Sequence, residues 1–137
     1  MILLISEIDI VIRILVAAFL GGLIGFEREI DGESAGIRTH VLVAVGSATF
    51  AILSFSITGD ASRIVAGVVT GIGFLGAGTI FKSTDKIKGL TTAAALWCVA
   101  AVGLSCGLQY FFLATTLAIV VFFVLFIKKI KRVVIKK

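Results

Sequence analysis

Along its length the chain is five long apolar runs separated by short polar breaks. The runs lie at 10–26, 41–57, 64–81, 90–107 and 110–127. A transmembrane helix needs ~20 consecutive, mostly apolar residues, with ~17 as the practical minimum, and every run reaches that minimum. None carries the sustained polar face of a helix that packs on one side and meets water on the other. The pattern predicts an all-α integral membrane protein: a bundle of about five transmembrane helices forming one domain over 1–127, followed by a short basic tail at 128–137. The fourth and fifth runs nearly touch in sequence and are expected to form an antiparallel hairpin.

Composition points the same way. Of 137 residues, 59% are hydrophobic and 15% charged, and the mean hydropathy is +1.18. A soluble domain carries roughly 45–50% apolar and about 25% charged residues, so this chain lacks the charge to cover a water-facing surface. Proline is absent and glycine occurs 15 times, as suits membrane helices whose backbones approach closely. Glu7 and Asp9 precede the first run where a cleavable signal would carry basic residues, so that run is expected to stay as the first span.

The formal charge of +5 is unevenly placed, and its placement predicts an orientation. Six of the thirteen basic residues are Lys128, Lys129, Lys131, Arg132, Lys136 and Lys137. After an apolar span such a tail is expected to meet anionic lipid headgroups rather than nucleic acid. With five spans the termini lie on opposite sides. A cytoplasmic C-terminus also places Arg28 and Arg38 of the first loop and Lys82, Lys86 and Lys88 of the third loop inside. That leaves Arg63 in an outer loop and Arg13 within the first run. The positive-inside rule therefore predicts the N-terminus out and the C-terminus in.

Candidate chemistry is sparse. Arg13 lies one turn beyond Asp9, a spacing at which the side chains meet. Its face continues through Ala17, Gly21 and Gly25 to Arg28, a small-residue stripe that suits helix packing. Arg13 either points into the protein along this stripe or snorkels to the membrane interface. Glu27, Glu29, Asp31 and Glu33 crowd four carboxylates at the end of the first run, interrupted by Arg28. They are candidate ligands for a hard cation such as magnesium. The alternative is a solvated loop, or ion pairs with Arg38 and the third-loop lysines. His40 has no partner set for a transition metal. Cys98 and Cys106 would lie ~12 Å apart on one helix, too far to pair. No nucleophile–base–orienter set points to an enzyme, and no cofactor is implied.

The third run holds Gly67, Gly71, Gly73, Gly76 and Gly78. Gly71-x-Gly73-x-x-Gly76 matches a dinucleotide-binding fingerprint, but that motif needs a strand and a turn before its helix. Within an apolar span, Gly67 and Gly71 are expected to make a close helix contact. The alternative is a helix locally weakened further on, an unwound stretch that exposes backbone carbonyls to an ion or substrate.

Four stretches carry a resemblance: Gly-Leu-Ile-Gly-Phe-Glu-Arg-Glu at 22–29, Ala-Gly-Ile-Arg-Thr-His-Val-Leu-Val at 35–43, Gly-Ile-Gly-Phe-Leu-Gly-Ala-Gly-Thr-Ile at 71–80, and Gly-Leu-Thr-Thr-Ala-Ala-Ala-Leu-Trp at 89–97. In order and content they resemble the MgtC/SapB family of prokaryotic inner-membrane proteins. The resemblance implies a five-helix membrane domain in a short form, without the soluble C-terminal domain of longer members. It also implies association with low-magnesium growth and, in pathogens, virulence, through action on the F-type ATP synthase rather than magnesium pumping. The motif residues it marks are Glu27, Arg28, Arg38, Thr39, Gly71, Gly73, Gly76, Gly78, Thr91, Thr92 and Trp97. Thr91 or Thr92 is expected to cap the fourth helix, with Glu27 or Glu29 docked there and Arg38 bridging. The function expected is a non-enzymatic regulator that binds another membrane complex or its own copies, a homodimer being the simplest. The alternative is an oligomeric channel or transporter for magnesium or another cation.

Overall fold

Ser6 starts the first helix by accepting the Asp9 N–H at 3.1 Å, which satisfies a backbone donor that the helix cannot. In the computed structural model, which describes residues 6–56 and 61–135 and the side chains within 6–55 and 62–127, α1 runs Glu7–Ile30. It closes in a Schellman turn: Gly32 N–H donates to the Glu29 carbonyl at 3.0 Å and Glu33 N–H to the Arg28 carbonyl at 3.1 Å. Gly32 holds the left-handed position at φ +70°, which that turn reserves for glycine. Then follow α2 (Ile37–Ser56), α3 (Ala61–Ala77), a two-stranded antiparallel hairpin of β1 (Phe81–Ser83) and β2 (Lys86–Lys88), α4 (Leu90–Gly107) and α5 (Phe111–Ile135).

The helices alternate in direction, and α1, α2 and α4 pack mutually as a central triad. On its flanks, α3 lies against α2 and α4, while α5 lies against α4 and α1. Ala17, Leu20 and Ile24 of α1, Ala44 and Ala48 of α2, and Leu96, Val99 and Val102 of α4 fill the centre. The outside is as apolar as the inside: Phe74 is 83% and Phe112 87% exposed. Such a shell is unsustainable in water and suits hydrocarbon. The chain folds as a membrane protein.

In lipid, apolar burial does not drive helices together, so close backbone packing must. Two glycine pairs, each four residues apart, provide it against α2, one from α1 and one from α4. A Cβ at Gly21 of α1 would sit 2.7 Å from the Ala44 Cβ, and one at Gly25 2.8 Å from the Ile37 Cα. From α4, Gly103 and Gly107 lie against the carbonyls of Ala44 and Ala48.

Three expectations change here. The third run does not stay helical to 81: α3 stops at Ala77, and 81–88 is a hairpin. Ile80 and Phe81 continue the apolar pattern, which cannot separate helix from strand. The glycines break the helix, and Thr79 Oγ1 turns back to the Gly76 carbonyl at 2.8 Å. Length sorts the helices accordingly. Among the described residues α1, α2 and α4 are long and apolar enough to cross a membrane, while α3 and the apolar stretch Phe111–Ile127 are shorter. Finally, Gly67 and Gly71 make no close helix contact within the chain, since a Cβ at either would meet nothing within 4 Å. Further on, the helix stays regular through Gly73 and Gly76 and ends at Ala77. Residue 57, the expected end of the second span, lies outside the described residues, as do the side chains of the basic tail; its backbone is helical to Ile135.

Candidate functional site

Three of the four carboxylates in the 22–33 segment converge on one guanidinium. Arg28, on the inward face of the last turn of α1, is 0% exposed. Its Nε donates to Glu27 Oε2 at 2.6 Å, and its two terminal nitrogens lie 3.6 Å from Asp31 Oδ2 and 3.7 Å from Glu33 Oε1. The Schellman turn makes this possible by folding Asp31 and Glu33 back over the helix end. Across the bundle, Thr92 Oγ1 donates to Glu33 Oε2 at 3.0 Å, tying the α1–α2 loop to the first turn of α4. One guanidinium thus serves three carboxylates. The positive N-terminal end of α4, equivalent to about half a charge, supports Glu33 beside it.

This arrangement corrects the expectations drawn for these residues. Arg28 does not interrupt the carboxylates but gathers them. An acidic residue does dock at the start of α4, yet it is Glu33, not Glu27 or Glu29, and the bridging cation is Arg28, while Arg38 is exposed. Thr92 docks this residue, but neither it nor Thr91 is the cap; Gly89 occupies that position with φ +90°. No side chain fits there, because a Cβ would collide with the Thr79 carbonyl. Glu29 instead accepts the Ile37 N–H at 2.9 Å, capping α2. Among the described residues no three carboxylate, histidine or cysteine side chains form a group that could hold a metal ion. His40 is buried where α2 crosses Gly25, and its Nδ1 faces the Gly36 carbonyl at 2.9 Å. A carbonyl can only accept, so Nδ1 carries the proton.

At the opposite end of the triad a second polar latch forms. Arg13 points into the protein, resolving the two readings of that residue: it pairs with Asp9 and donates to the Gly107 carbonyl at 2.7 Å. Gln109 Nε2 lies 3.0 Å from both Asp9 carboxylate oxygens. Gln109 occupies the left-handed position of the α4 Schellman turn, at φ +65°, where glycine is the usual residue. Its side chain accounts for the exception. Cys98 and Cys106 are both free thiols on α4.

The remaining motif residues lie apart from these two latches. Between α2 and α3 runs an apolar cleft of about 670 Å³, lined by Thr39, Gly46, Gly67 and Gly71 among others. Gly76 packs on Ala93 of α4, where a Cβ would lie 3.5 Å from the Ala93 Cβ. Gly78 lies past the end of α3, and Gly73, Thr91 and Trp97 face outward. The structure therefore unites Glu27, Arg28 and Thr92 at one locus and Thr39 and Gly71 at another. The sequence reading missed Glu33 as the docking residue, Gln109 as a latch, and the Gly103–Gly107 pair. The four-residue glycine spacing was a usable signal for that pair alone.

Comparison with known proteins adds to this geometry. Residues 14–133 match the sequence profile of the MgtC family. The chain is 58% identical over 93 residues to Protein MgtC of Brucella abortus (strain 2308), covering 66% of this chain and 39% of that protein. It is 48% identical over 109 residues to the Putative magnesium transporter YhiD of Escherichia coli (strain K12), covering 72% and 51%. With Protein MgtC of Salmonella typhimurium (strain LT2) it shares 47% identity over 102 residues, covering 74% and 44%. The chain thus spans about two-fifths to one-half of these curated relatives. No solved structure matches it.

Proposed function

This chain belongs to the MgtC family, and we propose that it is a non-enzymatic regulator that docks on another membrane complex, of the F-type ATP synthase kind. The setting proposed is the prokaryotic inner membrane during adaptation to low magnesium, with a contribution to virulence where the host cell is a pathogen. The supporting observation is the apolar, closely packed interior of the α1–α2–α4 triad. Ala17, Ile24, Ala44 and Val99 fill it, and the buried guanidiniums of Arg13 and Arg28 occupy its two ends, each in an ion pair. A bundle plugged in this way offers its outer helix faces, not an internal path, as the working surface. The distribution of lysine and arginine supports an N-terminus outside and a basic C-terminal tail inside, against anionic headgroups. Self-association as a homodimer is part of the same reading.

A second reading, an oligomeric channel or transporter for a cation, draws on the open glycine face of α3 at Gly67, Gly71 and Gly73. Several copies around that face would line a path with backbone rather than acidic side chains. The name of the Escherichia coli relative fits this reading.

Flux across liposomes separates the two. The folded protein is expected to pass magnesium, potassium and protons no faster than empty vesicles, and affinity purification from membranes is expected to bring down an ATP synthase-type complex. Magnesium flux that a Gly71→Leu substitution abolishes would establish transport and overturn the regulator.

A further inference from the structure

The cleft between α2 and α3 has the dimensions of a lipid tail, not of a helix. On α2 it runs from Thr39 to Phe50 and on α3 from Leu75 back to Ile64. At ~1.5 Å per residue each wall is ~16 Å long. That is about half of the ~30 Å hydrocarbon core, the depth of one leaflet. A transmembrane helix from a second copy would need a face of full length. Gly67 and Gly71 form part of the wall, and both leave open space where a side chain would stand.

The charge at one end of the cleft selects the headgroup. Arg38, exposed, is the neighbour of Thr39 at the cleft mouth. The chain leaving Leu75 leads through the end of α3 into the hairpin, where Lys82, Lys86 and Lys88 are exposed beside one acidic residue, Asp85. Other carboxylates at this end are committed elsewhere: Glu27, Asp31 and Glu33 to Arg28, and Glu29 to the Ile37 N–H. The cluster thus draws three acids toward Arg28, and the exposed charges left at this end are Arg38, Lys82, Lys86 and Lys88 beside Glu29 and Asp85.

We propose that the α2–α3 cleft binds one acyl chain of an anionic phospholipid, with its headgroup phosphate held by Arg38 and Lys82. The tail moves from one hydrocarbon environment to another, so shape determines whether it seats. Headgroup charge, at about five-fold per basic side chain near the surface, determines which lipid is retained.

Native mass spectrometry of the detergent-purified full chain tests this, by titration with phosphatidylglycerol and phosphatidylcholine of matched acyl chains. The wild type is expected to retain one phosphatidylglycerol at least about ten-fold more tightly than phosphatidylcholine, on the strength of two basic contacts. Gly71→Leu and Gly67→Leu should each abolish that single retention. Leucine favours helix over glycine, and circular dichroism checks that both variants fold. Gly73→Leu, on the same helix with equal room but off the cleft, should retain the lipid. Arg38→Gln with Lys82→Gln should erase the preference for phosphatidylglycerol and leave phosphatidylcholine binding unchanged. Equal retention of the two lipids by the wild type, or undiminished phosphatidylglycerol retention by folded Gly71→Leu, overturns the proposal. So does a lipid-free dimer that Gly71→Leu dissociates, which would make a second copy the occupant.

Discussion

Thr92 and Glu33, separated by 59 positions, share a hydrogen bond of 3.0 Å that closes the loop after α1 onto the start of α4. Glu33 also faces Arg28 at 3.7 Å, so the hydroxyl orients one arm of the charge cluster. Replacing Thr92 with Val keeps the shape and removes the donor. A hydrogen bond to a charged group contributes ~1.5–3 kcal/mol, and the partial exposure of Glu33 lowers the expected loss to the bottom of that range. Thermal unfolding in detergent should show it, and Thr92→Ser should restore most of it.

Arg28 is the larger liability. Arg28→Met leaves an apolar side chain of similar length among three carboxylates. Removing one partner of a buried ion pair costs ~3–5 kcal/mol, so the variant should be poorly expressed or unfold at markedly lower temperature. Arg28→Met combined with Glu27→Gln should recover part of the loss. Equal stability of Arg28→Met and the wild type would show that the cluster is not what holds this end closed.

The glycines divide into two classes that one substitution can separate. Gly103→Val drives a side chain into the Ala44 carbonyl, and overpacking of this kind costs ~1–3 kcal/mol or more. At Gly67 nothing lies within 4 Å, so Gly67→Val should change monomer stability by less than about 0.5 kcal/mol. The pair, compared by unfolding midpoint in one detergent, is expected to differ clearly.

Gln109 sets a backbone cost against a side-chain gain. A non-glycine residue in the left-handed region costs ~1–2 kcal/mol, which its hydrogen bonds to Asp9 offset. Gln109→Gly relieves the first and loses the second, so stability should barely move. Gln109→Ala keeps the cost without the bonds and should lose ~1 kcal/mol or more. If both variants behaved alike, the side chain would not be what tolerates the turn.

Much of the candidate site was visible as residue types but not as partners. The face from Asp9 through Arg13, Ala17, Gly21 and Gly25 to Arg28 follows from helical spacing, and the structure buries Arg13 and the residues after it. The acidic crowding at 27–33 was equally plain. That Arg28 rather than Arg38 would neutralise it depends on which way the chain turns after Ile30, and the Schellman turn at Gly32 decides that. Similarly, within the helices four-residue glycine spacing occurs at 21–25, 67–71 and 103–107. Which pairs meet a neighbour depends on where the other helices stand.

By itself the sequence determined the helices, their number and their medium, because apolar length and scarcity of charge are local properties that lipid reads directly. The end of α3, the hairpin after it, the Glu33–Thr92 tie and the open cleft beside Gly67 and Gly71 were decided by tertiary structure. Each depends on contacts between segments far apart in the chain, where space and a free hydrogen-bond partner, not local propensity, select the outcome.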